Sequence, residues 1–285
     1  MELCREMDIN RSGFYKWRSE KNKISPKTIA RAEAMDLFSE YHKKYPSHGY
    51  RWLNSKIKLD TNKNFSDQFA HRVCKYLGIK SKAKKVYRYG KAKKELKNFP
   101  NLILKDLKPE KPFQIIVSDM TAFYHNGIYH ELTLFMDLFN NEIVAYYLTN
   151  RRGNPDGYHK ALEQLLKSKK NAENADFETI LHTDQGAVYM SKKFNKNLAH
   201  YNIIHSVSKP GTPTENGAME AINGWMKEEM FLDGWLPDKA NIRGAIRDYI
   251  HFFNYERPAY ALNYLTPIQY KEKYYENLKN VSTLC

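Results

Sequence analysis

Asp119, Asp184 and Glu220 are the residues of this chain best suited to carry chemistry. Asp119 closes the apolar run Phe113-Gln114-Ile115-Ile116-Val117-Ser118, and Asp184 closes Thr179-Ile180-Leu181-His182-Thr183. Glu220 opens a helical stretch after a loop, Lys209 to Gly217, that holds Pro210, Gly211 and Pro213. Strand ends are where α/β sheets hold their ligands. Three carboxylates converging there repel one another unless a cation sits among them. Hard oxygen donors without a cysteine cluster select Mg²⁺ or Mn²⁺. A pair of such ions activates a water or a 3′-hydroxyl and stabilises the leaving oxygen of a phosphodiester. Each residue alone has a plainer reading, as a turn or cap aspartate or as a glutamate complementing a helix dipole.

The elements that must position these carboxylates follow from periodicity. Residues 113–119 predict a strand that ends at Asp119. Ile128 to Asp137 and Glu142 to Leu148 predict a hairpin turned at Asn140-Asn141. Pro155 to Lys167 predicts a helix with Tyr158, Leu162, Leu165 and Leu166 on its apolar face. A strand at 179–184, a helix at 194–201, a strand at 203–207 and a helix from Ala218 follow. In that last helix Met219, Ile222 and Met226 form the apolar stripe. Ile242 to Tyr255 predicts a further core helix. The order β-β-β-α-β-α-β-α implies a mixed sheet with helices.

The chain has 285 residues and a formal net charge of +14. Residues 1–110 carry +15 and residues 111–285 carry −1. The densest block, Lys80 to Lys97, includes Lys82, Lys84, Lys85 and Arg88, with Tyr87 and Tyr89 interleaved. Such a block points to nucleic acid, where neutralised phosphates release counterions and aromatics stack on bases. A solvated basic linker is the plainer reading. No run of 18 apolar residues predicts a membrane span, and no apolar leader follows Met1. Three cysteines, Cys4, Cys74 and Cys285, exclude a disulfide framework, so a cytoplasmic setting is the default.

Upstream of the basic block the pattern is helical: Asp8 to Arg18 with Ser12 as N-cap, Thr28 to Tyr45, Arg51 to Leu59, and Ser66 to Leu77 stopped by Gly78. Small basic helices suit a helix-turn-helix-like DNA-binding module, and a plain helical bundle remains the alternative. Three segments result: an N-terminal helical segment (1–27), a basic helical module with its linker (28–98), and a catalytic core with a helical tail (107–285). Arg51, Lys82, Lys84, Lys85, Arg88, Lys209 and Lys227 are the candidate DNA contacts. Lys227 lies seven residues after Glu220, on the same helical face. His42, His48, His71 and Cys74 are poorly spaced for zinc.

The combination of motifs resembles the second-frame product of bacterial insertion-sequence transposases, whose core is similar to retroviral integrases. Val117-Ser118-Asp119-Met120-Thr121, His182-Thr183-Asp184-Gln185-Gly186 and Pro213-Thr214-Glu215-Asn216-Gly217-Ala218-Met219-Glu220 carry the resemblance. So do Lys227 with Glu229, Tyr255-Glu256-Arg257-Pro258, Leu265-Thr266-Pro267, Arg11-Ser12-Gly13-Phe14-Tyr15 and His48-Gly49-Tyr50-Arg51. Glu215 and Gly217 depart from the family's usual Asp-Asn-Ala. The resemblance implies an α/β, ribonuclease-H-like integrase core with a mixed five-stranded sheet, and a DDE site of Asp119, Asp184 and Glu220. It implies metal-dependent strand cleavage and transfer on terminal repeats and target DNA by a homo-oligomer, near the nucleoid. A first-frame product or frameshift fusion is the further partner it implies. A non-catalytic DNA-binding inhibitor or relic, and a hydrolytic nuclease, are the competing readings.

Overall fold

The computed structural model describes residues 4, 6–21, 26–83, 108–171, 177–196, 198–208, 217–236 and 241–282. The chain divides into two compact units, Met1–Ser81 and Lys82–Cys285.

The first unit is helical: α1 (Arg11–Glu20), α2 (Pro26–Lys44), α3 (Tyr50–Thr61) and α4 (Asp67–Tyr76). Asn10, not Ser12, caps α1; its Oδ1 accepts from the N–H groups of Ser12 and Gly13 at 3.0 and 3.3 Å. Both residue types suit an N-cap, and the cap lies two residues earlier than the sequence predicts. Ala34, Phe38, Leu53, Ile57, Ala70, Val73 and Cys74 form the buried interior. Ser66 caps α4 by accepting from Phe69 N–H at 3.3 Å. Gly78, at φ +69°, ends it in the left-handed region that favours glycine. The His48 ring stacks on Trp52 at 3.5 Å between centroids, His71 lies against Tyr50, and burial pushes the Cys74 thiol up to about 11.

The second unit is built on β1 (Ile115–His125), β2 (Ile128–Asp137), β3 (Glu142–Thr149), β4 (Thr179–Thr183) and β5 (Ile203–Val207), in the order β3-β2-β1-β4-β5. β1, β2 and β3 are antiparallel neighbours, and β4 and β5 continue parallel to β1. This is a mixed five-stranded sheet, as expected. β1 does not end at Asp119. It runs six residues further because residues 120–125 pair with β2 across a two-residue turn. Asn126 and Gly127 make that turn at φ +49° and +74°, the backbone a tight hairpin demands.

Helix α5 (Pro155–Lys170) returns the chain from β3 to β4. Asn154 caps it, accepting from Asp156 N–H at 3.0 Å, and proline suits its first turn. Its Tyr158, Ala161, Leu162, Leu165 and Leu166 pack on Ile116, Phe135, Ala145 and Leu181. Each large apolar side chain buried this way contributes about 1.5–3 kcal/mol. Between β4 and β5 the expected single helix is instead a short α6 (Lys192–Asn195) and a 3₁₀ turn at Ala199–Tyr201. Buried Lys169 fixes that region, donating to the carbonyls of Phe177 and Tyr201 at 2.9 and 2.6 Å.

Helices α7 (Gly217–Leu232), α8 (Ile242–Tyr255) and α9 (Pro267–Ser282) complete the unit. Phe113 holds φ +62°, strained for a bulky residue. Its ring is buried and its N–H donates to Asp137 at 2.7 Å. Edge strand β3 is covered by side chains. Asn254 bonds both backbone groups of Ile143, at 2.9 and 3.0 Å, Gln164 accepts from Tyr146 N–H, and Ser168 donates to Val144 O.

Candidate active site

Asp119 lies two residues beyond Val117, and Asp184 two beyond His182; Val117 and His182 are paired across β1 and β4. The two aspartates therefore stand at the same level on neighbouring strands, whose spacing is about 4.8 Å. Asp119 is mid-strand, but it lies just past the last parallel pair. The carboxyl end of the parallel part of the sheet, rather than the end of β1, is what it marks.

Hydrogen bonds orient both carboxylates. Asp119 Oδ1 accepts from Met120 N–H at 2.8 Å, and its Oδ2 accepts from Asn223 Nδ2 at 2.9 Å. Asp184 Oδ1 accepts from Gly186 N–H at 2.9 Å. A Cβ at Gly186 would stand 3.0 Å from that same oxygen and 3.2 Å from the Tyr189 ring. Glycine thus keeps open the space at the Asp184 carboxylate. Both aspartates bear electrostatically on two tyrosines. Burial first, then Glu131, Asp184 and Asp119, push the Tyr158 hydroxyl up to about 12. Burial, Asp119 and Asp184 hold Tyr189 well above the ordinary range, and its hydroxyl meets Ser118 Oγ at 2.8 Å.

The third carboxylate belongs to α7. Position 220 is helical, and its side chain lies outside the described residues. Asn223, one turn on, shares its face and is the residue that touches Asp119. The buried stripe of α7 is Met219, Asn223, Met226 and Met230; Ile222 is only half-buried. A polar residue in the apolar stripe is the site residue that sequence reasoning missed. Its signal was its place, three residues after Glu220 on a face otherwise buried.

Around this centre His182 Nδ1 meets Ser206 Oγ at 2.9 Å. His205 bridges Asn195 Oδ1 at 2.6 Å and Thr183 Oγ1 at 2.9 Å. Burial and then His182 push His205 down to about 4. The ring is neutral and its Nδ1–H donates to Asn195 Oδ1, while Nε2 faces the Thr183 hydroxyl, which donates to the Asp184 carbonyl at 2.8 Å. Among the described residues no group of three His, Cys, Asp or Glu side chains is arranged to hold a metal ion, and Glu220 is not among those side chains.

Two families, each described as an integrase core domain, match residues 109–213 and 201–267. Together they span more than half of the chain. The transposase InsK ascribed to insertion sequence element IS150 of Escherichia coli (strain K12) is 29% identical over 96% of this chain and 94% of its own. A 31 kDa protein of insertion element IS600 from Shigella sonnei is 24% identical over 96% of this chain and 99% of its own. The chain belongs to the insertion-sequence transposases with an integrase core. The HTLV-2 integrase catalytic core domain, solved with magnesium, aligns at a TM-score of 0.40 and 20% identity, over 51% of this chain and 88% of that one. At that score the structural likeness adds nothing to the sequence matches.

In this transposase the downstream motifs meet as a buried clamp. Glu229 is fully buried and accepts from Arg257 Nε at 2.9 Å and from its terminal nitrogen, and from the Tyr249 hydroxyl at 2.9 Å. Three elements, α7, α8 and the segment after α8, are thereby locked together. The candidate DNA contacts scatter. Lys227 is half-buried on α7. Arg51 is exposed at the start of α3, 3.9 Å from Asp67 and over the Tyr50 ring. Lys82 is exposed. Lys84, Lys85, Arg88 and Lys209 lie outside the described residues. No helix among the described residues is long and apolar enough to cross a membrane.

Proposed function

We propose that Asp119, Asp184 and Glu220 form the catalytic triad of this transposase, acting on DNA by strand cleavage and strand transfer. The observation that carries the reading is the meeting of β1, β4 and α7. Two aspartates stand level at the end of the parallel strands, and Asn223 ties α7 to Asp119 at 2.9 Å. Their oxygen donors suit magnesium or manganese, and Gly186 leaves the Asp184 carboxylate room for a ligand. Bound at Asp119, Asp184 and Glu220, a pair of such ions would activate the attacking water or 3′-hydroxyl and stabilise the leaving oxygen. The residues of the chain supply the positioning. Asn223 and Met120 N–H hold the Asp119 carboxylate in one orientation, Gly186 N–H holds Asp184, and neutral His205 props Thr183 beside it. Such preorganisation lowers the barrier without a covalent protein intermediate. The basic segment 28–98 and Lys209 and Lys227 are the proposed contacts to terminal repeats and target, with copies of the chain assembling on the DNA.

The test is Mg²⁺-dependent cleavage and joining of DNA carrying the element's own ends, with Asp184→Asn and Glu220→Gln beside wild type. Loss of both products in both variants, with DNA binding retained, is the expected result. Cleavage without joining would favour a hydrolytic nuclease. Binding without metal-dependent chemistry in any form would favour the inhibitor reading.

A further inference from the structure

β1 and β3 both run antiparallel to β2, and β4 runs parallel to β1. The carboxyl end of β3 therefore lies at the same end of the sheet as Asp119 and Asp184. There β3 gives way to the turn Asn150-Arg151-Arg152-Gly153, which leads into α5. Thr149 pairs with Glu131, and Glu131 with Ala122, so the turn is two strands from β1, roughly 10 Å by strand spacing.

This turn is tethered from below. Glu131 is 2% exposed. Its Oε1 accepts from the Tyr129 hydroxyl at 2.7 Å and from Gly153 N–H at 2.8 Å. Its Oε2 is buried without a hydrogen-bond partner among the described residues. Arg151 N–H donates to Thr149 Oγ1 at 3.2 Å, and Gly153 sits at φ +64°. Burying a carboxylate is costly, and here it fixes what a surface turn displays. Arg151 and Arg152 are both exposed, and neither makes an ion pair among the described residues. The Arg152 guanidinium lies 5.8 Å from the centre of the Tyr129 ring. Tyr129 in turn meets exposed Tyr124 edge-on, at 5.3 Å between centroids. Two guanidinium groups with no carboxylate partner among the described residues, beside an aromatic rim and in a unit whose sheet and helices carry little net charge, match phosphates and unstacked bases.

We propose that Arg151 and Arg152 grip backbone phosphates of the DNA next to the reacting bond, with Tyr124 and Tyr129 as the adjoining stacking surface. The proposal rests on the strand-transfer reading above. It places a DNA-binding surface at one end of the five-stranded sheet.

The test uses the full chain and a duplex ending in a free 3′-hydroxyl. Binding is titrated against salt without divalent metal, and joining is then measured with Mg²⁺. The Arg151→Ala/Arg152→Ala variant is expected to shallow the slope of log K against log salt by about two, one for each phosphate left without its guanidinium, and to slow joining. Arg151→Lys/Arg152→Lys is expected to restore the slope. Wild type that binds and joins, beside an alanine variant with the same slope and rate, would overturn this inference alone. A lysine variant as shallow as the alanine one would overturn the grip on phosphate. Wild type that binds no DNA would overturn the strand-transfer reading itself.

Discussion

At Asp119 a single amide decides how the carboxylate is held. Asn223 donates to Oδ2, and a hydrogen bond to a charged group is worth about 1.5–3 kcal/mol. Asn223→Ala is expected to slow joining by roughly 10- to 100-fold while leaving DNA affinity unchanged, as single-turnover kinetics and a binding titration would show. Asn223→Asp should be worse, since it sets a second negative charge against Asp119. His205 supplies a prediction in pH. Its folded value of about 4 lies below the ordinary 6.5, because burial and His182 disfavour the charged ring. Between those values the unfolded chain binds the extra proton, so stability rises with pH across that window and is lost as pH falls from 6.5 toward 4. Urea unfolding at about pH 7 and about pH 4.5, on either side of most of that window, should show a smaller pH-dependent loss in His205→Asn than in wild type. Equal losses would remove His205 from the account.

Among the elements, α7 has the most to position and is held at both ends of its buried face, by Asn223 on β1 and by Glu229 on Arg257. Removing one partner of a buried pair leaves an uncompensated charge and costs about 3–5 kcal/mol. Arg257→Met is expected to lower the urea midpoint accordingly and to weaken joining with it. Glu229→Gln/Arg257→Met, which removes both charges, should recover part of the loss. The sequence disclosed this level unevenly. Period and caps located α5, α8, β2 and β5 to within a few residues, because their apolar faces repeat cleanly. β1 was cut short at Asp119 because the carboxylate interrupts the apolar run, whereas Asn126-Gly127 was the signal that the strand continued into a hairpin. α9 was expected only as part of an undivided helical tail, without bounds, because Pro267 to Ser282 is rich in tyrosine and charge, without a sharp apolar stripe. The place of Asn223 on the α7 face was legible, but not what it meets there, since its partner lies 104 residues away.

For the whole molecule, motif order located the two aspartates that the sheet brings level, while the geometry that gathers them came only from the pairing of β1 with β4. Repulsion between carboxylates at one end of the sheet should be relieved by a divalent cation, which binds the folded chain and stabilises it by mass action, about 2.7 kcal/mol at a hundredfold excess over the dissociation constant. Mg²⁺ is expected to raise the melting temperature of wild type and to leave Asp119→Asn unmoved. An equal rise in both would place the cation elsewhere. The covered rim of β3 has a consequence of another kind. An open ladder is a template on which a second chain can lay its own strand, and growth from such rims seeds aggregates. With Asn254, Gln164 and Ser168 occupying those backbone groups, the sheet on that side ends at five strands by occupancy rather than by length. A neighbouring copy, however concentrated on shared DNA, meets side chains where it would need a ladder to extend. Crowding at a transposon end therefore need not become polymerisation of the protein.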